Sequence, residues 1–177
     1  MNWRSAGPSL VLAATLMLAA CTTPAPHQAD SIAGRMSLQV EAMAPDPARQ
    51  LSAGFELRGN GERGELDLAG PLGALVARAR WAPGLAELET PQGTTAYRDL
   101  DDLSGRTFGE ALPMAALFDW LRGRPWPGAP SLPLQGGPGF EQLGWQVDTG
   151  RLTEGQLVAR RLAAPVVTLR ARLETPP

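Results

Sequence analysis

Apolar and polar residues alternate with a period of two along most of the chain between residues 35 and 97. In the first stretch Met36, Leu38 and Val40 alternate with arginine, serine and glutamine. Alternation of this kind is typical of a β-strand with one buried and one solvated face. The same rule holds for four more stretches, at residues 51–57, 66–68, 75–81 and 86–88, and a short strand is predicted through Ala96 and Tyr97. Turn residues separate these stretches, so the pattern predicts six antiparallel strands in a meander.

After residue 98 the pattern becomes helical. Asp101 and Asp102 favour a helix start, because acidic side chains interact well with the positive end of the helix dipole. Pro113 opens a second predicted helix, in which apolar residues recur at i, i+3, i+4 and i+7 before Gly123 ends it. Residues 124–139 are dense in proline and glycine and are predicted to form a loop. Three further strands are predicted, at residues 144–148, 157–162 and 167–173.

These elements predict the α+β class, with a curved antiparallel sheet that carries helices against its apolar face. Such a sheet forms an incomplete β-barrel when its concave apolar face is covered by the helices. Periodicity alone does not distinguish a packed interior from a hollow one.

The N-terminus carries an export signal. Residues 1–20 contain one early positive charge, an apolar run too short to span a bilayer comfortably, and then small residues, which together predict a signal peptide. Leu18-Ala19-Ala20-Cys21 is typical of a bacterial lipoprotein box, in which the cysteine is lipidated and becomes the first mature residue. Residues 21–32 are then a flexible tether, and residues 33–177 form one domain. The residue after the cysteine is Thr22, rather than the aspartate that resembles an inner-membrane retention signal. We therefore expect the protein to be anchored in the outer membrane, facing the periplasm.

Composition narrows the candidate chemistry. Without residues 1–20 the chain has 15 basic and 18 acidic residues, and every basic one is arginine. This balance gives no support for nucleic-acid binding, and it excludes catalysis by lysine. The only histidine, His27, lies in the predicted tether, so serine–histidine and cysteine–histidine mechanisms lack a partner in the domain. No cofactor and no metal site are expected, and the alternative of an enzyme using Glu56, Glu65 and Asp67 as catalytic carboxylates is disfavoured.

Two segments together resemble the LolB family of outer-membrane lipoprotein receptors. These are the stretch GELDLAGPLGALVARARWAPGLAELE and the later stretch LPMAALFDWLRGRPWPG. The similarity runs from about Ala33 to Leu173, and the lipoprotein box at Cys21 agrees with it. It implies an incomplete β-barrel, lined with apolar side chains and covered by helices. The chain departs from the family in lacking room for a helix before the first strand, and in reading Phe55-Glu56-Leu57 where a further aromatic is usual.

The resemblance implies that the chain takes lipoproteins from the soluble periplasmic carrier LolA and passes them into the inner leaflet of the outer membrane. A monomer is expected. Leu72, within Pro71-Leu72-Gly73, matches a loop leucine that the family uses in membrane delivery; the alternatives are that Leu72 folds back onto the core or is an ordinary exposed leucine. The acyl chains are expected to contact thirteen apolar residues: Met36, Leu38, Phe55, Leu57, Leu66, Leu68, Trp81, Leu88, Leu117, Phe118, Trp120, Trp145 and Leu169.

Two further questions stay open at this point. Arg35, Arg78 and Arg80 lie opposite the apolar positions of their strands, so they face either acidic groups on the carrier or simply solvent. The second alternative concerns the whole chain, which could bind free lipid or lipopolysaccharide, or assist envelope assembly. Such a protein would keep the anchor and a cavity but would not need Leu72.

Overall fold

A single antiparallel sheet of eleven strands dominates the computed structural model, which describes residues 31–109, 112–175 and 177. The strands run β1 (Ile32–Val40), β2 (Arg49–Gly59), β3 (Gly64–Ala69), β4 (Leu75–Ala82), β5 (Leu85–Thr90), β6 (Gly93–Tyr97), β7 (Ser131–Pro133), β8 (Gly139–Gln142), β9 (Trp145–Asp148), β10 (Gln156–Arg161) and β11 (Val167–Leu173). Their spatial order is β6-β5-β4-β3-β2-β1-β11-β10-β9-β8-β7, so β6 and β7 are the two edges. The predicted meander of six strands is confirmed, as are the three later strands.

The prediction of a loop over residues 124–139 is wrong, because this segment contains β7 and the first residue of β8. Proline and glycine usually mark turns, but β7 is an edge strand, where the missing N–H of Pro133 is tolerated. The buried side chain of Gln142 on β8 attaches the segment to the sheet. Its amide donates to the carbonyl oxygens of Trp126 and Ala129, each at 2.8 Å, and its oxygen accepts from the backbone N–H of Trp126 at 2.9 Å.

Two α-helices lie between β6 and β7 in the chain. The first, α1 (Leu100–Phe108), is capped by Asp99, whose carboxylate accepts a hydrogen bond from the backbone N–H of Asp102 at 2.7 Å. The second is α2 (Met114–Trp120), so both predicted helices are confirmed. The buried hydroxyl of Ser104 accepts a hydrogen bond from the backbone N–H of Leu112 at 3.1 Å, which joins α1 to the start of α2.

The aromatic side chains of α2 contact both halves of the sheet. Phe118 packs edge-on against Trp81 of β4, with ring centroids 5.7 Å apart. Trp120 contacts Trp145 of β9 at 6.0 Å, and its indole N–H donates to Gln142 at 2.8 Å. Strands β4 and β9 are six steps apart in the sheet order, which is about 29 Å in a flat sheet. Because neighbouring residues of one helix contact both strands, the sheet is not flat.

A β-bulge in β4 interrupts the simple alternation. Leu68 pairs with Ala77, but the next residue of β3, Ala69, pairs with Leu75, so Val76 is an extra residue in β4. The alternation predicted for residues 75–81 places Leu75 on the same face as Ala77, and the bulge shows that this prediction is wrong. The bulge turns Leu75 to the outer face of the sheet, where 45% of it is exposed.

An ion-pair cluster at the start of α1 should make the stability of the folded chain depend on pH. Arg98 and Arg106 donate to the carboxylate of Asp102, with the Arg106 Nε at 2.9 Å from Oδ1. Hydrogen bonds from Arg98, followed by that from Arg106, lower the pKa of Asp102 to about 2. A carboxylate with a lowered pKa stabilises the folded state above its unfolded pKa of about 3.9, and this contribution is lost as the pH falls through about 2.

Replacing Asp102 with asparagine should therefore lower the free energy of unfolding at neutral pH and down to about pH 4. Below that pH the difference from the unmodified chain should shrink, and it should vanish once the pH has fallen below about 2. Urea unfolding of both proteins across this range measures the difference. A difference that stays constant with pH would show that the charge of Asp102 does not contribute.

Within the part of the chain that the structure describes, no helix has the length and apolar character needed to cross a membrane. The predicted signal peptide, Cys21 and His27 lie outside the described residues.

Candidate functional site

The loop between β3 and β4 presents a leucine to solvent. Residues 71–73 form a three-residue hairpin loop, in which the N–H of Gly73 donates to the carbonyl oxygen of Gly70 and the N–H of Gly70 donates to that of Ala74, both at 2.9 Å. Gly73 has a φ of +80°, a left-handed conformation that glycine adopts without strain. This geometry leaves Leu72 at the tip with 98% of its surface exposed, which excludes the alternative that it folds back onto the core.

Two more apolar side chains extend this exposed surface. Leu75 is 45% exposed and Val76 is 43% exposed, and Pro71 beside Leu72 is also exposed. We call Pro71, Leu72, Leu75 and Val76 the tip surface. Burying a leucine of this kind stabilises a complex by about 2 kcal/mol, which is enough to orient a protein on an apolar phase but not to anchor it.

An apolar groove opens between α1 and the sheet. It has a volume of about 400 Å³ and is lined by Leu38, Val40, Arg49, Gln50, Leu51, Thr107 and Phe108. Leu38 and Val40 also belong to the buried hydrophobic core, so the floor of the groove is continuous with the interior of the domain. We call it the mouth groove.

The mouth groove and the tip surface lie at the same end of the sheet. Strand β2 pairs with β3 only from Gly54 onward, and Gly54 pairs with Ala69, the last residue of β3. Residues 49–53 of β2 therefore extend past β3 on the side where the β3–β4 loop lies. Leu51 and Arg49 pair with Leu38 and Val40, so both strands that line the groove end beside that loop.

The thirteen predicted lining residues are brought together in one hydrophobic cluster. Met36 and Leu88 pack against it half-buried, and the other eleven are buried in it. Their partners on the inner face of the sheet are often small, with alanine at six positions: Ala53, Ala77, Ala79, Ala86, Ala159 and Ala171. These short side chains accommodate the large aromatic rings of α2.

Several residues at this end were missed by the sequence analysis. Leu51 follows the predicted alternation, so its contribution to the mouth groove could have been read from the pattern. Phe108 could not, because only the packing of α1 brings its last turn over β1 and β2. Arg49 lies against the same turn, where its guanidinium occupies the space that a Cβ on Gly109 would take.

The outer face of β2 to β5 carries charged side chains that are already paired. Arg78 donates to Asp67 with its Nη2 at 2.9 Å, and Arg80 donates to Glu65 at 2.7 Å. These two arginines are thus engaged within the chain rather than free for an acidic partner. Hydrogen bonding from Arg78 lowers the pKa of Asp67, the opposite of what a general acid at neutral pH needs. Because Glu65 and Asp67 are paired with arginines, the alternative in which they act as catalytic carboxylates is disfavoured.

Comparisons with known proteins agree with the resemblance. The family model described as outer membrane lipoprotein LolB matches residues 29–174. An outer-membrane lipoprotein LolB of Bordetella petrii is 34% identical over 169 residues, which cover 90% of this chain and 84% of the relative. Relatives of the same name from Cupriavidus pinatubonensis and Halorhodospira halophila are 34% and 37% identical over 78% and 67% of this chain, and 72% and 58% of their own lengths.

Proposed function

This chain belongs to the LolB family, and on that premise we propose that it accepts lipoproteins from the periplasmic carrier LolA and inserts them into the inner leaflet of the outer membrane. The observation that carries the proposal is the position of the mouth groove beside the tip surface. An apolar opening into the core and an exposed leucine share one end of the sheet. An acyl chain leaving the groove there has a short path to the membrane that Leu72 enters.

The proposed route follows from the cost of exposing an acyl chain to water. A chain of about sixteen carbons costs on the order of 10 kcal/mol in water, at about 0.8 kcal/mol per methylene. Transfer therefore has to run from one apolar surface directly into another. The mouth groove and the hydrophobic cluster behind it supply that surface, with α1 and α2 covering the concave side of an incomplete barrel. The thirteen lining residues are proposed as the acyl contacts, reached when α1 moves away from β1 and β2.

Cys21 is the proposed lipid anchor, and the protein is proposed to be an outer-membrane lipoprotein facing the periplasm. The twelve residues from Cys21 to Ile32 are eleven Cα–Cα steps and span at most about 36–40 Å when extended. This length exceeds that of β1, about 30 Å for nine residues. The tether is thus long enough for the far end of β1, where the tip surface lies, to reach the membrane. The protein acts as a monomer and as a binding module, without catalytic chemistry.

The proposal predicts that an acylated peptide binds at the mouth groove. The full mature chain, with Cys21 changed to alanine to remove its own acyl group, should remove the peptide from the loaded carrier. It should also gain about 2.7 kcal/mol of unfolding free energy at a ligand concentration 100 times the dissociation constant. Replacing Leu51 with glutamine should weaken binding about tenfold, since a polar amide replaces an apolar contact at the opening. Fluorescence titration and thermal unfolding measure these effects.

Leu132→Gln is the matched control for this experiment, because Leu132 is 68% exposed on the edge strand β7, away from the groove. It should bind the acylated peptide as the unmodified chain does. A mature chain that neither binds the peptide nor removes it from the carrier would refute the proposed function.

A further inference from the structure

The outer face of the sheet carries a second charged region that differs from the paired one. Arg35 on β1, Arg160 on β10, and Arg170 and Arg172 on β11 are all exposed on this face. We call these four the arginine face. Arg35 pairs directly with Arg172, and Arg170 lies two residues before Arg172 on β11. Like charges placed opposite each other on neighbouring strands destabilise a sheet, so this arrangement costs the isolated chain stability.

No acidic side chain within the described residues is bonded to these four arginines. Among residues 31–109, 112–175 and 177, none of the four guanidinium groups forms a hydrogen bond or an ion pair. Apart from the Arg35–Arg172 pair, their neighbours in register are uncharged, with Ser37 opposite Arg170 and Gln156 opposite Arg172 on the other strand. The carboxylate of Asp148, two strands from Arg170, accepts a hydrogen bond from the N–H of Gly150 at 2.8 Å.

A shallow groove runs between these arginines. Its volume is about 270 Å³, and the polar residues along it include Arg35, Arg170, Arg172 and the hydroxyls of Ser37 and Ser52. Guanidinium groups bind phosphate through two parallel N–H donors, and serine hydroxyls add further donors. The groove therefore offers hydrogen-bond donors, and no carboxylate of the described residues lines it. This combination suits a phosphate group.

The arginine face is continuous with the tip surface across one row of the sheet. Arg172 pairs with Arg35, Arg35 with Gly54, Gly54 with Ala69, and Ala69 with Leu75. Paired residues point to the same face, so this row leads from Arg35 to Leu75, at the base of the Leu72 loop, over three strand spacings, about 14 Å. The two residues between them are glycine and alanine, so no bulky side chain interrupts a flat surface there.

From this continuity we infer that the arginine face docks on the phosphate layer of an anionic phospholipid membrane while Leu72 enters the acyl region. The inference rests on the proposed function, because it takes a membrane as the place of delivery. A basic surface next to an exposed apolar side chain is the combination that binds anionic lipid interfaces. The phosphates would replace the missing carboxylates between Arg35, Arg170 and Arg172. The ion pairs of Arg78 and Arg80 keep those two arginines out of this surface.

Vesicle binding tests the inference with the full mature chain carrying Cys21→Ala. Vesicles of phosphatidylethanolamine with phosphatidylglycerol are compared with vesicles in which phosphatidylcholine replaces the anionic lipid. Arg170→Gln and Arg172→Gln should each weaken binding to the anionic vesicles about fivefold and leave binding to the neutral ones unchanged. Arg63→Gln, in the turn between β2 and β3 at the opposite end of the sheet, is the matched control and should have no effect. Arg172→Gln should not lower the free energy of unfolding, because it removes a charge that faces Arg35.

Equal binding of the arginine variants and the unmodified chain to anionic vesicles would overturn the inference. It would also be overturned if these variants bind vesicles normally but take lipoprotein from the carrier more slowly, since the face would then bind an acidic surface of the carrier. Removal of acylated peptide from the carrier, measured without vesicles, tests the proposed function separately. A chain that passes that test while its arginine variants bind anionic vesicles normally refutes the docking surface alone.

Discussion

Leu72→Glu is expected to accept lipoprotein from the carrier at the normal rate and to deposit it in membranes at least 30 times more slowly. The side chain is 98% exposed, so its replacement removes no packing from the core and should leave the free energy of unfolding unchanged. Entry of leucine into the acyl region contributes about 2 kcal/mol, which corresponds to about 30-fold in partitioning. A glutamate at the same position adds the cost of dehydrating a charge. Transfer of a labelled lipoprotein from the carrier to the protein, and then to vesicles, measures the two steps separately.

The matched control for this variant is Leu132→Glu, which places the same charge on an exposed leucine at the edge of the sheet. It should deposit lipoprotein normally. If Leu72→Glu also deposits normally, the tip surface has no part in delivery. The alternative hypothesis, that the chain binds free lipid or lipopolysaccharide, would then be favoured.

The second large effect is expected from replacing Gln142 with leucine. This side chain is 2% exposed and makes four hydrogen bonds, accepting from the Trp120 indole and the Trp126 backbone N–H and donating to two carbonyl oxygens. Leucine has a similar size but leaves the buried Trp120 indole and the partly buried backbone groups of Trp126 and Ala129 without this hydrogen-bond partner. The loss should be on the order of 3 kcal/mol, or roughly 6–12 °C in Tm for a domain of this length.

Gln146→Leu on the neighbouring strand β9 is the control. Its amide makes one hydrogen bond, to Glu141 at 3.1 Å, and the residue is half-buried. Its effect on Tm should be within about 2 °C. Comparable Tm values for the two variants would show that the Gln142 hydrogen bonds add little to stability.

Much of the sheet could be predicted because strand alternation is a local property of the chain. Successive side chains of a strand point to opposite faces, so the residues on the apolar face of β2 and β3 could be identified without knowledge of their partners. The same reasoning failed at Leu75, since one extra residue in β4 reverses the faces beyond it. Nothing in the residues 75–81 distinguishes a bulge from regular pairing. The strand β7 was missed because its position is set by Gln142, eleven residues away from Ser131.

The candidate site also has one part that the local sequence predicts and other parts that depend on contacts between distant segments. The loop that presents Leu72 follows from a local turn of proline and glycine, and its exposure agrees with what the resemblance implies. The mouth groove depends on contacts between α1 and two strands that lie far from it in the chain. The arginine face depends on the pairing of β1 with β11, which brings Arg35 beside Arg172 across 137 positions of sequence.

The sequence by itself determined the resemblance to the family, the six-strand meander, both helices, the apolar face of most strands, and the turn that carries Leu72. The strands, the helices and the turn are set by residues within a few positions of one another, through backbone geometry and turn conformations. The tertiary structure alone decided which charges are neutralised, where the apolar interior opens, and that both surfaces lie beside the Leu72 loop. Those features arise from strand register and from helix packing between segments that are distant in the chain. Contacts of this kind do not produce a periodic pattern in the sequence.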